Sequence, residues 1–415
     1  MAGGKGTRIA SVNSLVPKPM IEVAGKPVLA RQIECLARQG VTDITLVIGH
    51  LGSVIKSAFG SGAFGANIDY IEEKEPLGTA GALYYLKGEK DDFLLANGDV
   101  IFDIDVRRFA AAHKAFGGLA TIFTHPNDHP YDSGLISAAA DGRVTEWLHK
   151  EDERGWRFNR VNAGLHMISP RLLGRLSAPV KTDLDRDVLR PLIAEGGLFA
   201  YDSPEYVKDM GTPERLKETE ADILSGKVSA RNLSRKQRAV FLDRDGTINE
   251  YVGFVRGAEA LTLCPGAAEA ITKINRSGRL AIVATNQPVI ARGETTREEL
   301  DLIHAKMETL LGEKGAYIDG LYYCPHHPHG GYEGEIKELK VDCDCRKPKP
   351  GMLLRAAEEF NIDLSRSWMV GDGENDAECG RRAGCRTAKI GDNACGADVC
   401  GKDLLACVDA ILAED

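Results

Sequence analysis

The sequence predicts an α/β protein built from two doubly wound domains. Short apolar runs alternate with helix-period segments along most of the chain, and they do so in two stretches separated by a polar segment. The acidic and glycine-bearing motifs sit directly after apolar runs, at the strand ends where such sheets bind ligands. In the first stretch, residues 1–222, PVLARQIECLARQ predicts a helix near 27–39. DITLVIGH, ANIDYIEE, DDFLLANGDV, LATIFTH, RVTEWLH and VNAGLHMIS read as strands. Residues 223–237, ILSGKVSARNLSRKQ, carry no periodic apolar face and read as a linker with a helical start. The second stretch, 238–415, runs AVFLDRD, a helix from Pro265, LAIVATNQ, a helix near 296–313 and GLYYCP. A helix near 351–360, WMVGDGEND and TAKIG follow.

Composition narrows the function. The 415 residues carry 52 Lys+Arg against 61 Asp+Glu, a net charge of −9, whereas nucleic-acid binding favours a basic face. An anionic substrate must be caught by local cations or a metal. No run of roughly 18 apolar residues predicts a membrane span, and no apolar signal region opens the chain. Ten cysteines without a secretory signal read as thiols plus a metal site, with the cytoplasm as the expected compartment.

Asp243 and Asp245 end the run AVFL. Alternate strand residues share a face, so the two acids crowd and repel unless a cation lies between them. Magnesium, a hard ion that takes carboxylate oxygens, meets that need. In a parallel sheet Asp243, Asp245, Thr285-Asn286-Gln287, Arg346-Lys347 and Asp372 with Asp376 converge. Asp243 is then the expected nucleophile toward a phosphate monoester, and Asp245 the acid that protonates the leaving oxygen and later activates water. Thr285 and Lys347 neutralise phosphoryl oxygens, and Asp372 completes a magnesium shell with Asp243 and Asp245. Cys324-x-His326 and Cys343-x-Cys345 offer a tetrahedral zinc set, with His327 and His329 as rivals by spacing. The polar, glycine-bearing loop between them cannot hold its shape by packing, so this zinc is expected to be structural. Cys35, Cys264, Cys379, Cys385, Cys395, Cys400 and Cys407 show no ligand spacing.

Over about residues 238–391 these motifs resemble the phosphatase branch of the haloacid dehalogenase superfamily, with its Rossmannoid fold. FLDRDGTIN, TNQPVIARG and CDCRKPKPGM look like the heptose 1,7-bisphosphate phosphatases, close relatives of the histidinol-phosphate phosphatases. The resemblance implies that Asn286, Arg292 and Arg346 contact substrate phosphate, and it favours His326 as the zinc ligand. Pro288-Val289 stands where that family usually has Ser-Gly, and Gly373 where a lysine is common.

The first stretch opens with AGGKGTR, whose glycines let backbone N–H groups approach phosphate beside Lys5, Arg8 and Lys18. With PKPM, EPLGTAGAL, NGD, VNAG and KDMGTPERL it resembles the sugar-phosphate nucleotidyltransferases, over nearly all of 1–222, with a Rossmann-like mixed sheet. The resemblance implies attack of a sugar 1-phosphate on a nucleoside triphosphate, with Asp99 and Asp209 holding magnesium. Gly3, Gly4 and Arg8 would contact the triphosphate, and Lys18 the α-phosphate or sugar phosphate. Gly78, Thr79 and Gly81 would border the base, and Asn162 and Gly164 the sugar. His149-Lys150 stands where the family often has Glu-Lys; Lys150 keeps the phosphate role, without the glutamate's sugar contact. That family places an apolar strand before the glycine loop, and this chain opens at Met1-Ala2-Gly3-Gly4. The expectation is a start assigned downstream of the true one, and poor nucleotide transfer by the chain as written.

Together the halves resemble the GDP-heptose route: a phosphatase makes heptose 1-phosphate and a guanylyltransferase consumes it. The implied partners are sugar phosphate and nucleoside triphosphate, without nucleic acid or membrane, and a homo-oligomer is compatible. Two rival readings are an inactive N-terminal sugar-nucleotide-binding module beside a working phosphatase, and a phosphatase for histidinol phosphate.

Overall fold

The structure, a computed structural model, describes residues 1, 16–331, 333–391 and 396–414. Gly3, Gly4, Lys5, Arg8 and Cys395 lie outside the described residues. The chain forms two compact units. One comprises Met1–His125, Ile136–Trp147 and Asn162–Asn232; the other comprises Pro126–Leu135, Leu148–Val161 and Leu233–Asp415. Among the described residues no helix is long and apolar enough to cross a membrane.

The first unit begins with helix α1 (Val28–Ala37). Strand β1 (Asp43–Ile48) pairs in parallel with β2 (Ala66–Glu72). The inner faces of β1 and β2 meet Leu29, Ala30 and Ile33 of α1, as their alternating burial requires. Strand β3 (Phe93–Ala96) ends at the Asn97-Gly98-Asp99 turn, and β4 (Val100–Asp103) leaves it. Helix α2 (Val106–Phe116), capped by Asp105, leads to β5 (Ala120–His125). Strands β6 (Leu135–Ala138), β7 (Val144–Leu148), β8 (Val161–Ile168) and β9 (Leu198–Asp202) complete a mixed sheet in the order β7-β6-β8-β5-β9, with β3 antiparallel to β8. Strand β10 (Tyr206–Asp209) pairs antiparallel with β4. Among the described residues β1 and β3 each have a strand partner on one side only. Beside β3, the Met1 ammonium donates to the Ala96 carbonyl at 2.8 Å, and the Met1 carbonyl accepts from Gly98 N at 2.8 Å. Burial pushes that ammonium down to about 6.

Within residues 223–237, helix α3 (Pro213–Leu224) ends, a helical turn covers Lys227–Ala230, and the buried Arg231 donates to the Pro204 carbonyl at 2.6 Å. Asn232 donates to Asp103 at 2.7 Å, and Leu233 is buried in the core of the second unit.

The second unit is wound on one sheet of parallel strands. Strands β11 (Ala239–Leu242), β12 (Leu280–Asn286), β13 (Gly320–Cys324), β14 (Trp368–Gly371), β15 (Arg386–Ile390) and β16 (Val399–Gly401) lie in the order β13-β12-β11-β14-β15-β16. Val240 and Leu242 face one core with helices α4 (Ala267–Arg276), α5 (Arg297–Gly312) and α8 (Leu404–Ala413). Ala239 and Phe241 face the other, with α6 (Gly351–Glu359) and α7 (Glu374–Ala383). Helices on both faces explain why β11 reads as an unbroken apolar run. The strand order reverses between β11 and β14, so the crevice at their carboxyl ends is where ligand is expected.

Candidate functional site

That crevice holds a charged cluster. The β11–β14 ladder continues one step, with Asp243 N donating to the Val370 carbonyl at 2.9 Å, so the Asp243 side chain emerges at the switch point. Lys347 Nζ lies 2.8 Å from Asp243 Oδ1 and 2.6 Å from Asp376 Oδ1. One ligand atom each of Asp243, Asp372 and Asp376 falls within 4.8 Å of the others, a group able to hold a metal ion. Two glycines make room for it. At Gly246 the backbone has φ +79°, and a Cβ would stand 2.2 Å from Asp372 Oδ2; at Gly371 it would stand 2.3 Å from Asp376 Oδ2. Asp376 is further fixed by the Gly373 N–H, which donates to its Oδ2 at 3.0 Å.

Burial pushes the Asp243 carboxyl up to about 6, against the pull of Lys347 and with the neighbouring charge of Asp376. Asp372 is raised as well, by burial and then by Asp243. Burial alone would lower Lys347, but Asp243 and Asp376 outweigh it and hold the ammonium above its ordinary value. Crowded carboxylates around one buried cation form an environment that favours a further positive charge.

The Asp245 carboxylate, expected in the metal shell, lies outside the group formed by Asp243, Asp372 and Asp376. Asp245 is held instead by Arg244, whose Nη2 lies 2.8 and 2.9 Å from its two oxygens, by Gln287 Nε2 at 2.8 Å and by Asn249 Nδ2 at 3.0 Å. Strand alternation puts Asp243 and Asp245 on one face, but β11 ends at Leu242 and the chain turns at Asp243. Asp376 sits in the first turn of α7, four residues after Asp372. That spacing at a helix start was the available signal. Gln287 also donates to Thr285 Oγ1 at 2.9 Å. Arg244 is wholly buried, and His304, also buried, is held well below its ordinary value by burial and by the Arg244 charge. Neither residue stood out in the sequence.

The remaining predicted phosphate contacts lie around two loops. Asn286 Nδ2 donates to the Lys347 carbonyl at 3.1 Å, and Lys347 N donates to Asn286 Oδ1 at 3.0 Å. Arg346 donates to the His326 carbonyl at 3.2 Å. The Arg292 guanidinium stacks 4.5 Å from the Phe254 ring centre and lies 3.7 Å from Glu294.

Cys324, His326, Cys343 and Cys345 come together as a second group able to hold a metal. Cys345 Sγ lies 3.2 Å from both Cys324 Sγ and Cys343 Sγ, and 3.3 Å from His326 Nδ1. Three thiols and an imidazole gathered this closely form the donor set that a structural zinc ion takes. Hydrogen bonding from Cys324 draws the Cys345 thiol down to about 5, the tendency a thiolate ligand needs, while Cys324 is raised in return. His327 Nδ1 contacts the His329 carbonyl at 3.0 Å and does not join the group.

In the first unit, Lys18 Nζ pairs with Asp99, and Arg215 Nη1 grips Asp209 at 2.9 and 3.0 Å. The β4–β10 ladder sets Asp209 opposite Val100, and Met210 N donates to the Asp99 carbonyl at 2.9 Å, so both acids occupy one end of that ribbon. Gln32 Nε2 clamps the turn through the Asn97 carbonyl at 2.8 Å and the Val100 carbonyl at 2.6 Å. Gly164, at φ +72°, passes so close to Asn97 that a Cβ would lie 2.7 Å from its amide; Asn162 Oδ1 accepts from Gly164 N at 2.9 Å. Gly78 and Gly81 have a packing reason of their own. Their Cβ atoms would stand 2.4 Å from the Thr182 carbonyl oxygen and 2.2 Å from that of Val180. Thr79 Oγ1 accepts from Leu184 N at 2.7 Å, pinning the loop to the same segment. Lys150 is exposed on a turn.

The chain matches the family model for nucleotidyl transferases over residues 1–226 and that for HAD-hydrolase-like proteins over 344–403. It is 39% identical over 155 residues to the D-glycero-β-D-manno-heptose-1,7-bisphosphate 7-phosphatase of Salmonella typhi, covering 37% of this chain and 80% of that protein. It is 32% identical over 246 residues to the mannose-1-phosphate guanyltransferase of Saccharomyces cerevisiae, covering 57% of this chain and 65% of that protein. The crystal structure of HddC from Yersinia pseudotuberculosis is similar at 27% identity with a TM-score of 0.48, over 54% of this chain and 96% of that one.

Proposed function

Because the chain belongs to the nucleotidyl transferase family through residues 1–226, and to the heptose bisphosphate phosphatase family through the half that carries Asp243, we propose that it is a bifunctional enzyme of nucleotide-activated heptose formation. It removes the 7-phosphate of a heptose 1,7-bisphosphate, then transfers a nucleotidyl group, GMP from GTP, to the heptose 1-phosphate. The observation that carries the first reaction is the gathering of Asp243, Asp372 and Asp376 around Lys347 at the sheet's switch point. Guanine rests on the fit of the two reactions in one route and on the likeness to a guanyltransferase.

An Asp243 oxygen attacks the ester phosphorus, the bond from phosphorus to the sugar oxygen breaks, and that oxygen takes a proton from the Asp245 carboxyl. Asp245, now a carboxylate, accepts a proton from the water that attacks the aspartyl-phosphate. The bond from phosphorus to Asp243 then breaks, releasing phosphate and restoring both residues. Lys347 and Thr285 offset charge on the phosphoryl oxygens, and Asn286, Arg292 and Arg346 hold the substrate's phosphates. Asp243, Asp372 and Asp376 would hold magnesium, which would supply positive charge beside those oxygens. Cys324, His326, Cys343 and Cys345 would hold a zinc ion, which would fix the loop.

In the first unit a sugar 1-phosphate oxygen attacks the α-phosphorus of the triphosphate, and pyrophosphate leaves. Lys18 steadies the α-phosphate, and Asp99 and Asp209 would hold a second magnesium, which would offset charge on the triphosphate. Gly78, Thr79 and Gly81 border the base; Asn162, Gly164 and Lys150 meet the sugar phosphate. Substrates of this kind suit a cytoplasmic enzyme.

The test supplies heptose 1,7-bisphosphate with each nucleoside triphosphate in turn and follows phosphate and pyrophosphate separately. Phosphate is expected, with pyrophosphate formed only from GTP and only slowly by the chain as written. Phosphate alone would reduce the first unit to a sugar-nucleotide-binding module. Faster hydrolysis of histidinol phosphate would overturn the heptose assignment. Asp243→Asn is expected to abolish phosphate release while nucleotide transfer to added heptose 1-phosphate continues.

A further inference from the structure

Arg244 stands between the two acids that the proposed phosphatase reaction uses, yet it faces neither solvent nor the magnesium group. Its side chain is fully buried. Nε and Nη2 reach Asp245 Oδ1 at 3.2 and 2.8 Å, and Nη2 reaches Oδ2 at 2.9 Å. Nη2 also donates to Gln287 Oε1 at 3.1 Å, while Gln287 Nε2 returns a hydrogen bond to Asp245 Oδ2 at 2.8 Å. Asn249 Nδ2 closes the ring on Oδ1 at 3.0 Å. Arg244, Gln287 and Asn249 all aim donors at Asp245, so the carboxylate is fixed in direction as well as place.

The far side of the guanidinium is as informative. Nη1 meets His304 Nε2 at 3.2 Å, on the buried face of α5. An arginine can only donate, so Nε2 must accept and the proton belongs on Nδ1. Among the described residues, that buried Nδ1 has no hydrogen-bond partner. The fold therefore leaves one polar atom unsatisfied in order to give Arg244 an uncharged acceptor behind it. A fully apolar residue at 304 would avoid that cost, and would also remove the stop that keeps Arg244 pressed toward Asp245.

We propose that Arg244, backed by His304 and flanked by Gln287 and Asn249, is a positioning residue that presents Asp245 to the leaving oxygen and to the attacking water. The inference rests on the phosphatase reading above. It separates Asp243, which forms the bond to phosphorus, from Asp245, whose proton work depends on being aimed. A leaving group that needs no proton thus bypasses the first duty of Asp245 and leaves only the second.

The experiment compares p-nitrophenyl phosphate with a simple alkyl phosphate on the full-length, metal-loaded wild type and on Arg244→Met, His304→Phe and His304→Gln, each checked for native circular dichroism and zinc content. For Arg244→Met, alkyl-ester turnover should fall ~100-fold or more, the scale of a lost general acid. The same variant should still release a burst of p-nitrophenol, and aspartyl-phosphate should then accumulate in acid-quenched samples, because its hydrolysis has lost its base. His304→Phe should shift the same way by a smaller factor, and His304→Gln, which keeps an acceptor, should recover most of that loss. Equal losses on both esters without accumulated intermediate, or no loss at all, would overturn the proposal. A wild type that forms no acyl phosphate at Asp243 would instead sink the phosphatase reading itself, and the proposal with it.

Discussion

Asp376 shows how one side chain changes the assignment of a site. Its carboxylate, and not that of Asp245, completes the group of possible magnesium ligands with Asp243 and Asp372. Magnesium affinity, measured by titration calorimetry, should therefore fall at least ~10-fold in Asp372→Asn and in Asp376→Asn, and change little in Asp245→Asn. Equal losses in all three would restore Asp245 to the metal shell. The pair of acids was legible in the sequence because two carboxylates after an apolar run demand a cation. That Asp376, and not Asp245, groups with Asp243 and Asp372 was not, because it depends on where β11 stops and on which donors the turn brings against Asp245. Gly246 belongs to the same lesson. Its requirement, a carboxylate oxygen 2.2 Å from where a Cβ would be, comes from Asp372, more than a hundred residues away in the chain.

At the scale of single elements, strand β8 carries an unexpected burden. His166 is 1% exposed and lies opposite Leu95 of β3; among the described residues, neither ring nitrogen has a hydrogen-bond partner. Burial pushes it down to about 4. The unfolded chain binds a proton there below ~6.5, the folded chain only below about 4, so its stabilising contribution is present above pH 6.5 and lost as the pH falls toward 4. The linkage is on the order of 3 kcal/mol, since each tenfold change in proton affinity is worth about 1.4 kcal/mol. Melting temperatures at pH 7.5 and 5 should separate more for the wild type than for His166→Leu; identical separations would remove His166 from the account. The strand itself was plain in VNAGLHMIS, whereas the solitude of its histidine depends on neighbours that only folding supplies. The same holds for EPLGTAGAL, read as a loop for the nucleobase. The structure adds that Gly78 and Gly81 are required where the 180–182 backbone crosses them. Residues 223–237, read as a linker with a helical start, carry the end of α3, a helical turn and the buried Arg231.

For the molecule as a whole, the metal loop is the part whose loss should be felt by one activity alone. Cys345 is followed at once by Arg346 and Lys347, and Lys347 reaches Asp243. Treatment with a zinc chelator at saturating magnesium should abolish phosphate release and lower the melting transition of the second unit, while pyrophosphate release from added heptose 1-phosphate is unchanged. Loss of both activities together would mean that the ion supports the entire chain. The Cys/His group was readable from spacing, since Cys-x-His and Cys-x-Cys need only two short loops to meet. Spacing left His327 and His329 as rivals to His326, and the structure turns His327 to the His329 carbonyl.

That adjacency of thiol and lysine has a practical corollary. Protein expressed in zinc-poor medium should contain a mixture of competent and idle phosphatase halves beside transferase halves that are all alike. The quotient of the two specific activities, taken from one tube, would then gauge how fully a batch had been loaded, without any metal analysis.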